Sequence, residues 1–460
     1  MYAPEAGLAT APNLISFLSG LSALMEFGLN SCSGGFGRVC PFKLLSSKYP
    51  SFDWSDGSLA FLPEDDSSAA AVIAELDLLL TSGRLNDNAT AVIAEAYDEY
   101  KARNGPDAAL VVAQQLFTAT AEFHVTNMHN LTGDVRSGTT TGARDAGTFD
   151  ASRFKAVVVL VMDGGCDSFN LLMPHGNCTI NSKNPTGKDM YEEYRSVRSN
   201  VALDHSQMIQ VEAQAGSQPC DTMGVHYKLP TVASLYKDGQ LAFVANIGNL
   251  IEPTTRETYL DGSVKLPPGT FAHNLATRSN QNLQPQNDNA KGVLGRMLDV
   301  VGTQKPPFQP AAYSIAGNAK IVEATTVSPD MISADAGVVQ FRAAGDPNLK
   351  PHIKKILAPS SISAMGETIA HLFESALDRS EVVGNALEAV TLSADFASDK
   401  LSQQLQQVAK LINTSAELAT ERGVYYVNIG EPSCPQRSRD KCAPLSCGVC
   451  IIPLLIPLVS

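Results

Sequence analysis

Two aspartates set close together after an apolar run are the residues best placed to do chemistry in this chain. The run is Ala156–Met162, AVVVLVM, and the turn after it reads Asp163-Gly164-Gly165-Cys166-Asp167-Ser168, with Asn170 two residues on. Carboxylates at the end of a strand can ligate a metal or serve a reacting group, because open α/β sheets collect ligands where their strands end. Gly164 and Gly165 permit a tight turn, and Ser168 and Asn170 add hydrogen-bonding groups. The same pattern also describes an ordinary strand-to-helix connection, in which the carboxylates cap the next helix.

Such residues need strands to position them. Seven consecutive apolar residues, four of them valine, read as a parallel strand buried on both faces. Leu229, Val232, Leu235 and Tyr236 recur at helical spacing, Gly239 stops that helix, and Leu241–Ile247 reads as a second buried strand. A third is Gly423–Gly430, GVYYVNIG. Parallel central strands are therefore expected at about 155–162, 241–247 and 424–429, flanked by helices in an α/β fold with a mostly parallel sheet.

The segment Lys155–Leu172, KAVVVLVMDGGCDSFNLL, resembles the opening motif of the family called domain of unknown function 1501, itself similar to alkaline phosphatases and sulfatases. That motif has an apolar strand, a Gly-Gly pair and an Asp two residues on, which falls on Asp167; Asp163 lies outside the matched part. Met223–Tyr259, Phe271–Asn274 (FAHN) and Lys291–Asp299 (KGVLGRMLD) resemble three further blocks in the same order. The resemblance implies an alkaline-phosphatase-like domain over 151–430. It also implies hydrolysis of a small or polymeric phosphate or sulfate ester by two divalent metals, zinc, calcium or magnesium, which activate a hydroxyl nucleophile.

On that reading Asp167 is the first metal ligand and Asp163 a second candidate. Thr254 and Thr255, in EPTTRE, lie where the nucleophile follows the second strand, although paired threonines before charged residues also cap helices. His273 is a further catalytic candidate, since the family presents a Ser-His pair there; here the serine position is Ala272. The larger departure follows the third strand, where the family carries Gly-x-Asp-x-His and this chain continues EPSCPQRSRDKCAPLSCGVCIIPLLIPLVS. Residues 431–460 are thus expected to be an atypical Cys- and Pro-rich tail on a truncated domain, and the chain an inactive or incomplete hydrolase. Cys434, Cys442, Cys447 and Cys450 match no standard zinc spacing. The alternative is a noncatalytic secreted or surface binding protein that keeps the fold. A third reading, phosphate binding by the Gly-Gly turn, lacks the third glycine of a dinucleotide fingerprint.

Residues 1–130 read as a separate helical region. Ala69–Leu80, Ala89–Ala102 and Asp107–Phe117 have helical periodicity, with Val72, Leu76 and Leu79 forming one apolar stripe and Ala109, Val112, Ala113, Leu116 and Phe117 a facing one. Asp107 is a candidate cap. The region resembles the end of a second helical family, domain of unknown function 1800, down to TAEFHVTN at Thr120–Asn127. His124 and His129 lack a carboxylate or Cys partner at fixed spacing and read as structural. A Gly/Thr-rich linker, 131–150, separates this region from the α/β domain.

A formal net charge of −13 provides no basic excess to neutralise phosphates, so nucleic acid is not an expected partner. No apolar run approaches the ~20 residues that span a bilayer. No basic start with an apolar core marks a signal peptide. Four Asn-x-Ser/Thr tripeptides, at Asn88, Asn130, Asn177 and Asn413, nonetheless tilt the expectation towards a secreted glycoprotein.

Overall fold

In the computed structural model the described residues are 11–30, 35–37, 57, 59, 61–125, 149–162, 167–176, 178, 187, 189–214, 216–245, 248–269, 273–287, 289–317, 319–334, 337–338, 341–358, 364–429 and 450–454. Helices α1 (Ala11–Phe27), α2 (Ala69–Thr81), α3 (Asp87–Asn104), α4 (Pro106–Ala119) and α5 (Ala121–His124) come first. They are followed by β1 (Lys155–Met162), β2 (Leu172–Gly176), α6 (Met190–Arg198), β3 (Met208–Glu212), β4 (Thr222–His226) and α7 (Pro230–Lys237). Then come α8 (Arg256–Leu260), α9 (His273–Asn282), α10 (Val293–Gly302), β5 (Pro310–Ser314), β6 (Asp330–Met331) and α11 (Lys350–Leu357). The chain closes with α12 (Ala364–Glu388), α13 (Lys400–Asn413), β7 (Arg422–Ile429) and β8 (Cys450–Leu454).

The fold is mixed α/β. One sheet has the order β6-β5-β7-β1-β8, and β6, β5, β7 and β1 run parallel with helices flanking them. Both β1 and β7 lie where the apolar runs place them, with Val158, Val159 and Val161 buried in β1 and Val424–Val427 buried in β7. A second sheet, β2-β4-β3, is antiparallel. By packing density the chain divides into Met1–Val158 with Leu294–Val427 and Leu455–Ser460, and Val159–Val293 with Asn428–Leu454.

In the first unit the N-terminal helices follow from their sequence signals. Ser68 caps α2 by accepting from the Ala71 amide, Asn86 caps α3 through Ala89, and Pro106 opens α4 at a position that needs no N–H donor. Asp107 lies within the first turn of α4, whose cap is Gly105. The buried stripe of α2 is Ala69, Val72, Ile73 and Leu76, continued by the half-buried Leu80. Leu79 is 58% exposed, because it turns away from the line that Ile73 and Leu80 set. These helices do not bury their faces among themselves alone. Ile15, Ile73, Ile93, Leu116 and Phe117 share one core with Ile353 and Ile356 of α11 and Phe373 and Leu377 of α12.

His124 is held within the fold of the first unit. Its Nε2 donates to the Thr118 carbonyl at 2.7 Å, and its ring packs edge-on against Phe373. Burial holds its pKa below the ordinary histidine value. His129 and the linker up to 148 lie outside the described residues.

Buried Glu421 ties the starts of three parallel strands together. It accepts from the amides of Asp150, 3.1 Å, and Gln309, 3.0 Å, and Arg153 lies 3.5 Å away. Helix α10 approaches the backbone closely at Gly295, where a Cβ would collide with the Glu323 carbonyl.

In the second unit, β4 pairs with β2 on one side and β3 on the other, and Cys178 is disulfide-bonded to Cys220. Tyr191 of α6 covers Met173 and Met208, while Ala233 of α7 covers Val211 and Val225. Gly239, at φ 70°, ends the helical segment as expected. The expected second strand does not follow. Residues 241–245 have no strand geometry, and 246–247 lie outside the described residues. A run of apolar residues becomes a strand only where a neighbour accepts its ladder. Here Phe243 instead packs back onto Tyr236, and Val244 is 73% exposed.

Candidate functional site

Asp167 lies five residues past the end of β1 and enters the 3-10 turn Ser168–Asn170. Its carboxylate is engaged. Arg198 Nη2, from the end of α6, lies 2.5 Å from Asp167 Oδ2, and the Asn170 amide donates to the same oxygen at 2.8 Å. Asn170 is itself fixed by donation to the Val201 carbonyl and by accepting from Tyr194, whose hydroxyl in turn accepts from the Leu203 amide. Burial raises the Tyr194 pKa, so its hydroxyl stays protonated as this network needs. The second carboxylate oxygen of Asp167 is buried and has no hydrogen-bond partner among the described residues.

The two threonine candidates are engaged locally. Thr255 caps α8 by accepting from the Thr258 amide at 3.2 Å, and its own amide donates to the Thr258 hydroxyl at 2.9 Å. Thr254 donates to the Glu252 carbonyl. Thr255 is exposed and Thr254 half-buried, both are hydrogen-bonded within their own turn, and among the described residues no hydrogen bond joins either to Asp167. The backbone of His273 starts α9. Asp163, Gly164, Gly165 and Ala272 lie outside the described residues, as do 430–449 with Cys434, Cys442 and Cys447.

A two-metal centre needs several carboxylates and histidines converging on one point. Among the described residues no three His, Cys, Asp or Glu side chains form such a group. The one matched ligand, Asp167, already faces a guanidinium. The described donors therefore do not fit the metal centre that the resemblance implies.

A concave site does form in the second unit, where the sequence carries no motif. A cavity of about 520 Å³ is lined by His175, Cys178, Asp189, Tyr191, Asp204 and His205, among others. Strand β2 presents His175. Asp189 caps α6 by accepting from the Tyr191 and Glu192 amides, and Asp204 caps the 3-10 turn that carries His205. The imidazole of His205 donates from Nε2 to the His175 carbonyl at 2.8 Å, which leaves its Nδ1 as an acceptor when neutral. His175 Nδ1 lies 3.2 Å from the Thr222 hydroxyl, and the two imidazoles meet edge to face at 4.6 Å. Burial, and then the charge of His205, pushes the His175 pKa down. Asp189, Glu192 and Asp204 add carboxylate acceptors to the cavity wall, and Arg195 adds a guanidinium.

No family model, curated protein or solved structure matches this chain. Among the described residues, no helix is long and apolar enough to cross a membrane.

Proposed function

We propose that this chain is a noncatalytic binding protein built on the scaffold of the metal-dependent phosphate and sulfate ester hydrolases. The observation that carries this reading is the Arg198–Asp167 pair at 2.5 Å. A guanidinium on the carboxylate meets the same electrostatic demand as a divalent ion, but it has no vacant coordination position to polarise an ester or activate a hydroxyl. Thr254 and Thr255 support it further, since each hydroxyl already serves its own turn. The polar cavity between β2 and α6 offers a place to bind without turnover.

The test is a titration of the full chain with zinc, calcium and magnesium, alongside turnover of aryl phosphate and aryl sulfate esters. Weak metal uptake and background hydrolysis are expected, unchanged in Asp167→Ala. Chelator-sensitive turnover lost in Asp167→Ala would instead establish the second reading, a working hydrolase, which the position of Asp167 just beyond β1 favours.

A further inference from the structure

We propose that Asn88 and Asn413 are sites of N-linked glycosylation. Each opens an acceptor tripeptide, Asn88-Ala89-Thr90 and Asn413-Thr414-Ser415. Such tripeptides recur by chance, and a glycan is compatible with the fold only where the amide is exposed and not already employed. Several asparagines outside these tripeptides are employed. The Asn30 amide donates to the Gly28 carbonyl at 2.9 Å, Asn86 to Glu122 at 2.7 Å, Asn170 to Asp167 at 2.8 Å and Asn249 to Ser279 at 2.6 Å. Asn88 and Asn413 are exposed, and among the described residues neither side chain makes a hydrogen bond.

The contrast is sharpest within one turn of α3. Asn86 is the cap, tied to Ala89 and Glu122, whereas Asn88, two residues on, points its amide at solvent. Asn413 is the last residue of α13, and it is exposed while Leu411 and Thr414 beside it are buried. A glycan joined at either amide displaces no bond of the fold.

A second, independent observation points to the compartment. The Cys178–Cys220 disulfide belongs to an oxidising environment, the same lumen in which asparagine amides receive oligosaccharide. In that step the amide nitrogen attacks the anomeric carbon of a lipid-diphosphate-linked oligosaccharide. A carbon–nitrogen bond forms as the carbon–oxygen bond breaks; the lipid diphosphate leaves with the bonding pair, and the amide gives up one proton. No oxidant or reductant is needed.

The experiment uses protein purified from its own cells. Tryptic peptides 85–101 and 411–422 each contain one site. They are analysed by mass spectrometry before and after a peptide N-glycosidase acting in heavy-oxygen water. The proposal expects both as glycopeptides before treatment, and as heavy-oxygen-labelled aspartyl peptides after it. Quantitative recovery of either peptide unmodified overturns that site, and of both overturns the proposal. Full-length variants separate the acceptor from its context: Thr90→Ser should keep the Asn88 glycan, and Ser415→Ala should abolish the one at Asn413. Persistence of a glycan on Asn413 in Ser415→Ala would also overturn the assignment.

Discussion

The Tyr100 hydroxyl donates to Asp346 Oδ2 at 2.6 Å across 246 residues of chain, joining α3 to the turn that leads into α11. Burial pushes the Asp346 carboxyl up, but hydrogen bonds from Tyr100, Asn348 and Leu349 outweigh it and hold its pKa below the usual carboxylate range. A depressed carboxyl contributes stability that is present above its unfolded pKa, about 3.9, and is lost as pH falls through the lower folded value. Tyr100→Phe is therefore expected to cost about 1 kcal/mol near neutral pH and to reduce the loss on acidification. Urea unfolding at neutral pH and at about pH 3 checks both, and an unchanged acid dependence would count against the pairing.

The common core of α1–α4 with α11 and α12 gives a sharper test. Phe373 of α12 is 2% exposed, and truncating it to Ala should cost about 3–5 kcal/mol through lost transfer energy and a cavity. Leu79→Ala should stay within about 0.5 kcal/mol, because that side chain is already largely in water. Hydrogen exchange decides what Phe373→Ala loosens. Faster exchange in α1 and α4 as well as α12 is expected, and a loss confined to α12 would break the shared-core account.

How much of this was legible in the sequence depends on whether the signal was local. β1 and β7 carry their own evidence, since a strand buried on both faces is apolar at every position. The cap read at Asp107 is two residues late, because Gly105 precedes a proline that needs no N–H donor at the first helical position. Residues 241–245 are apolar throughout, like Ala156–Met162 of β1, but lack a partner strand, which composition does not encode. The β2-β4-β3 sheet was missed for the opposite reason. Its edge strand, LMPHG, holds a proline and a glycine, residues that argue against a central strand but are tolerated at an edge. With that sheet went the His175–His205 contact, which antiparallel pairing and a 3-10 turn create between residues that share no motif.

The Cys178–Cys220 disulfide closes a segment with a sequence separation of 42 around α6 and β3. Replacing both cysteines by serine should destabilise the second unit by about 2–4 kcal/mol, chiefly by freeing the unfolded chain. Thermal unfolding with and without reductant should show the same shift in the native chain, and none in the variant.

The His175 imidazole should titrate below the ordinary histidine value of about 6.5, because burial and the neighbouring His205 charge both disfavour its cation. A histidine with a lowered folded pKa contributes stability that is present above its unfolded pKa and lost as pH falls through the folded one. NMR titration of the imidazole protons measures this directly. In His205→Ala the midpoint should move up, and a midpoint that stays put would remove the charge of His205 from the account.

The Asp167–Arg198 pair decides most about the site. Its side chains are 30% and 11% exposed, so each charge is partly desolvated and relies on the other. Removing one partner leaves a half-buried charge without its counter-ion, and either Asp167→Ala or Arg198→Ala should cost about 2 kcal/mol. Removing both abolishes that penalty, so the double variant should be no less stable than the worse single one, with a coupling energy of about 2 kcal/mol. Chemical denaturation of the four proteins yields that value. Additive losses would mean that the two side chains act independently, and Arg198 could then no longer be what keeps Asp167 from a metal. With coupling present, Arg198→Ala should raise calcium or zinc affinity above that of the native chain, because it strips the built-in cation from a carboxylate that Asn170 still holds in place.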